Sequence, residues 1–219
     1  MSSVEELFDN NGKMGSLIIL LALLGLVLAI LGAIALIVWK ISVIYVVLTT
    51  IGTLVIVYLT YQFGLELRDN SVDKAPLPFL TNIFGPLINH SKKLTRVPVF
   101  AGIVKYIGLS LIISGIFFII AYVVEGMGFL IGALIIRILI GLVFLWASRE
   151  ISAGGSHSFM WILLVILFAL LLIMSLVSLI WGLVLLDLVS LASALISLVF
   201  SGYALYLGIS PEVKNQMGV

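Results

Sequence analysis

The sequence contains no cysteine. Disulfides, thiolate metal ligands and cysteine nucleophiles are therefore excluded, and thiols say nothing about redox compartment. Charge is scarce as well. Only 10% of residues are Asp, Glu, Lys or Arg, whereas a soluble domain carries about 25%. The formal net charge is +1, so no basic excess argues for nucleic acid. There are two histidines, His90 and His157, both in polar stretches. Intramembrane haem ligation needs histidines inside apolar runs, and histidine-rich iron sites need more of them. Ser156, His157 and Ser158 are adjacent in sequence, but a nucleophile and its base must meet in space. No glycine-rich phosphate loop and no acidic cluster for Mg²⁺ is present. The sequence therefore predicts no catalytic residue, no cofactor and no metal, and it reads as a non-enzyme.

Proline is rare and confined. Pro76, Pro78, Pro86, Pro98 and Pro211 all lie outside the apolar runs. The runs are thus expected to form unbroken helices, which counts against transporter folds built on interrupted helices. Strict apolar–polar alternation is missing too, so a membrane β-barrel is not expected.

What is present is hydrocarbon. Hydrophobic residues make up 63% of the 219 positions. A core of this size cannot hide them all, so the solvent is expected to be lipid. Six runs reach the roughly 18–20 apolar residues a crossing needs. They cover 16–38, 41–63, 100–124, 129–148, 159–180 and 185–207. The fold class expected is an all-α polytopic integral membrane protein, six transmembrane helices arranged as three helical hairpins. Its parts are an N-terminal segment (1–15), hairpins at 16–63, 99–148 and 159–209, connecting loops at 64–98 and 149–158, and a tail (210–219). Ser3 to Glu6 has capping-box spacing, and a short surface helix with Leu7 and Phe8 on its apolar face is expected there.

Charge sets the expected topology. Lys13, Arg68, Lys74, Lys92, Lys93, Arg96, Arg149 and Lys214 fall on the side of the N-terminus, and only Lys40 on the other. The positive-inside rule then places both termini in the cytoplasm, with the chain in the cell membrane. In the 64–98 loop an apolar stripe (Leu77, Leu80, Ile83, Phe84, Leu87, Ile88) predicts two short helices lying on the inner leaflet, broken at Pro86. Lys92, Lys93 and Arg96 would then face anionic headgroups, so membrane lipids are expected partners. Lys105 is expected to reach back to the same interface.

Two features inside the runs bear on function. Arg137 lies mid-way along the fourth run, where a charge needs a partner or a wet cavity. The acids within reach on that side are Glu125 and Asp187. An Arg137–Asp187 pair is therefore expected, acting as a clamp on helix register or, less favoured, as a site for an anion or solute. The last run carries a seam of small residues below Asp187, namely Ser190, Ala194, Ser197, Ser201, Ala204 and Gly208. Such a seam lets helices approach closely. Shorter versions are Ala22, Gly25, Ala29 and Gly32, and Gly128 with Gly132.

The layout of Gly/Ile/Leu-rich hairpins, closing on Gly202-Tyr203-Ala204-Leu205-Tyr206-Leu207-Gly208, resembles archaeal multi-helix membrane proteins of unknown function. The resemblance implies the six-helix layout and carries over no functional residue. Two roles fit the residues. One is a non-catalytic membrane subunit, scaffold or assembly component, packed through its seams into a homo-oligomer or onto other membrane subunits. The other is a small-solute or ion transporter or channel using Arg137 and the serine face of the last helix.

Overall fold

The computed structural model describes residues 3–38, 42–70, 77–89, 94–124, 131–155, 157–185 and 188–219. Among them the chain is all-helical, in the order α1 (Ser3–Asp9), α2 (Asn11–Val38), α3 (Val43–Asp69), α4 (Pro78–Phe84), α5 (Arg96–Val124), α6 (Ile131–Ala153), α7 (Ser158–Leu185), α8 (Leu188–Gly208) and α9 (Pro211–Met217). Five of these, α2, α3, α5, α7 and α8, are long and apolar enough to cross a membrane. Of these, α2 and α7 expose leucine, isoleucine and valine along most of their length, and α3 and α5 expose isoleucine and valine over the end away from the termini. Water would penalise that surface and hydrocarbon accepts it.

The short elements start and stop for local reasons. Pro78 and Pro211 sit in the first turns of α4 and α9, where a missing N–H costs nothing. Asn70 closes α3 in the left-handed conformation, with φ of 51°. Gly85 turns at φ of 67° and ends α4 just before Pro86.

Chain neighbours pack most closely: α2 on α3, α5 on α6, and α7 on α8. Contacts of α3 with α5 and of α2 with α8 join these pairs into one bundle. Two glycine pairs set how near the helices come. A β-carbon on Gly15 of α2 would fall 2.7 Å from the Gly64 carbonyl oxygen of α3. A β-carbon on either Gly108 (α5) or Gly141 (α6) would fall 2.8 Å from the other's carbonyl oxygen. No side chain fits at these crossings, which is the close-packing mode of helices in lipid.

Both termini lie at one end of the bundle. There α1 docks through Phe8, whose ring lies 5.5 Å from Tyr203 and 5.0 Å from Tyr206. Asp9 pairs with Arg96 at 2.6 Å and accepts from the Tyr206 hydroxyl at 2.9 Å. Lys13 donates to Glu6 at 2.5 Å and holds that carboxyl below its usual range. Tail helix α9 buries Val213 and Met217 against the same end.

Candidate functional site

The same end is closed by an internal clamp. Helix α3 runs past Phe63 to Asp69, so Gln62 and Glu66 point into the bundle rather than into a loop, and both are fully buried. Glu66 accepts from the backbone N–H groups of Leu87 at 3.0 Å and Ile88 at 2.6 Å, and from Gln62 Nε2 at 2.7 Å. On α5, Lys105 donates to the carbonyls of Phe84 at 3.0 Å and Pro86 at 2.8 Å. An acid thus holds the N–H groups of the 84–88 segment, and a base holds its carbonyls. These are charge-assisted bonds, about twice as strong as neutral ones. Gly102 leaves room for Ile88, whose side chain lies 2.9 Å from where a β-carbon would sit. The expected pair of leaflet helices is therefore one helix, α4, followed by a strap that enters the bundle with Leu87 and Ile88 buried.

Above the strap lies an aromatic floor. Tyr106 stacks on Phe200 with centroids 3.9 Å apart, and Phe63 meets both rings, at 6.1 and 5.2 Å. The Tyr106 hydroxyl shares a 2.8 Å hydrogen bond with Thr60.

Arg137 stands over this floor. On α6 it lies seven residues from Phe144 and fourteen from Ile151, both of which are fully buried. A seven-residue spacing keeps all three on one stripe. The stripe faces the bundle, with Phe144 against Phe168 of α7 at 5.5 Å. Two turns further on Arg137 is exposed, because the bundle gapes there. The gap is a cavity of about 140 Å³ lined by Arg137, Tyr106, Ser110, Ser193, Ser197 and Ser201, with aliphatic and aromatic side chains of α3, α5, α7 and α8. The contact of Gly115 with Ile138 puts Arg137 level with the middle of α5. An arginine at the centre of a membrane helix costs about 3 kcal/mol on insertion scales.

Hydroxyl bonding around the cavity is uneven. Ser201 donates to the Ser197 carbonyl at 2.6 Å, and the Ser175 and Ser197 hydroxyls are 2.7 Å apart. The Ser110 hydroxyl is buried beside the Tyr106 hydroxyl. No carboxylate lines the cavity among the described residues.

The expected site residues are placed as follows. Asp187, with Lys92 and Lys93, lies outside the described residues, as do Glu125 and Gly128; the expected Arg137–Asp187 pair therefore falls there too. Arg96 binds Asp9 and lies 5.7 Å over the Tyr206 ring. Ala194, Ser201, Ala204 and Gly208 are buried within the chain, and Ser197 is half-buried. Gly208 packs against Phe100 and Val165, and its carbonyl accepts from Trp161 Nε1 at 2.7 Å. Ser190 begins the seam on α8. Ala22, Gly25, Ala29 and Gly32 are all buried, whereas a β-carbon on Gly132 would touch nothing.

Sequence reasoning overlooked Ser110, Gln62 and Glu66. The available signals were a hydroxyl inside an apolar run and two polar residues four apart on the last turns of a long helix.

The molecule so described is an all-helical bundle of membrane-crossing length with a charged cavity at its centre. Comparison with protein-family models, curated proteins and solved structures gives no match.

Proposed function

We propose that the chain is a small-solute or ion transporter or channel of the cell membrane, with its solute site in the cavity beside Arg137. In this reading α6 is the sixth crossing. It is 23 residues long and packs along α5 through Gly108 and Gly141. The helices then form three hairpins, and the positive-inside rule puts both termini in the cytoplasm. The observation that carries the reading is the cavity itself. It gathers a guanidinium, four serines and a tyrosine at mid-bundle depth, where apolar packing would be the default.

The alternative is a non-catalytic membrane subunit, scaffold or assembly component. Its support was the small-residue seam of α8. Ala194, Ser201 and Ala204 are engaged within the chain, so the seam has little left to offer a partner. That reading therefore ranks second.

The test is a cavity-filling substitution. Proteoliposomes holding the protein should pass chloride, potassium or glycerol faster than protein-free vesicles. Ser193→Phe, placed at an exposed cavity-lining position, should abolish the difference. Permeability equal to protein-free vesicles for all three probes would remove the transport reading.

A further inference from the structure

The chemistry of the cavity lining selects among solutes. We propose that the ligand of the Arg137 cavity is an anion, held by the Arg137 guanidinium; this rests on the cavity being a solute site.

Four features of the cavity lead there. First, the lining offers donors. A guanidinium has five N–H groups and no acceptor. No hydrogen bond or ion pair engages Arg137 among the described residues. The hydroxyl-bearing residues Ser193, Ser197 and Ser201 line the same space. Second, no carboxylate among the described residues lines the cavity, so its positive charge is uncompensated there. A cation is repelled, and a neutral solute leaves the charge unpaired.

Third, size limits the occupant. The volume of about 140 Å³ accommodates a partly hydrated halide, nitrate or one tetrahedral oxyanion. Fourth, the Tyr106–Phe200 stack closes the side toward the termini, while Arg137 itself is exposed. The ligand therefore meets the guanidinium from the α6 side or from the end away from the termini. That path admits a free anion and also the phosphodiester of a lipid headgroup, which present the same chemistry to arginine.

The experiment separates these sources. Proteoliposomes are assayed for chloride and nitrate efflux, potassium efflux and glycerol uptake, and native mass spectrometry in detergent reports retained phospholipid. The wild-type protein is expected to pass chloride and nitrate well above protein-free vesicles. Arg137→Leu should lower that efflux by ~10-fold or more, the ratio for losing a charge-assisted hydrogen bond. Arg137→Lys should restore part of it, which guards against a folding defect in the leucine variant. Alternatively, one phospholipid retained by the wild type and lost in Arg137→Leu, without anion efflux, supports the proposal with the headgroup as the anion. Passage of potassium or glycerol, with no anion efflux and no retained lipid, overturns the anion assignment and leaves the solute site standing. If nothing crosses and no lipid is retained, both fall.

Discussion

Glu66 and Arg137 are two charges inside the bundle that are treated in opposite ways. Glu66 is fully buried and accepts from Gln62 and from two backbone N–H groups of the strap. Removing it leaves the Leu87 and Ile88 N–H groups without that acceptor in a dry place, a cost of about 3 kcal/mol. Glu66→Ala should therefore lower the melting temperature in detergent by several degrees. Lys105→Met, which frees the Phe84 and Pro86 carbonyls, should lower it less, because Lys105 is partly exposed and water can replace it. Equal melting temperatures for all three proteins would mean the strap is held by its apolar side chains alone. Asp9→Asn, at a pair whose side chains stay about a third exposed, should cost under ~1 kcal/mol. Arg137 was legible in the sequence because a lone charge in a long apolar run stands out. Glu66 was not. It follows an apolar run directly, which reads as the helix end, and its partners lie 21 and 22 residues further on. Ser110 was invisible for a related reason, since a single hydroxyl in an apolar run can bond its own backbone, as Ser114 does to the Ser110 carbonyl.

Among the elements, the helix pairs depend on two glycine crossings. Valine at Gly141 must displace the Gly108 carbonyl and Ile112, so the α5–α6 pair has to part. Overpacking of this kind costs about 1–3 kcal/mol. Gly141→Val should thus melt at a clearly lower temperature, whereas Gly132→Ala, with open space around it, should melt like the wild type. Matching losses at both positions would contradict the close crossing. Long apolar runs with few breakers located α2, α3, α5, α7 and α8, and the seam of α8 was visible as small residues spaced three and four apart. Which helix the seam would face was not visible. Spacing fixes a face and says nothing of the neighbour, and Gly208 turned out to meet Phe100 of α5 and Val165 of α7. Leu77 to Ile88 has helical periodicity, which predicts a second short helix after Pro86. Gly85 and Pro86 break it, and the hydrogen bonds of Glu66 and Lys105 draw the second half inside.

At the scale of the whole molecule, a floor of Phe63, Tyr106 and Phe200 separates a clamped end from a cavity. The end bearing the termini is tied by α1, α9 and the strap. The middle is left open around one guanidinium. On the proposed function this asymmetry means that water and solute reach Arg137 from the side away from the termini. The absence of cysteine makes the point directly measurable, since one introduced thiol is the only thiol. Ser193 lines the cavity and is exposed to it. A thiol there can be probed with anionic and cationic methanethiosulfonates added to intact proteoliposomes, because these reagents need water to reach it. Ser193→Cys is expected to be labelled, and adding Arg137→Leu to lower the anionic-to-cationic rate ratio about tenfold, as for losing one nearby charge in a partly buried site. A thiol at position 193 that neither reagent modifies would mean a dry cavity and no solute site beside Arg137.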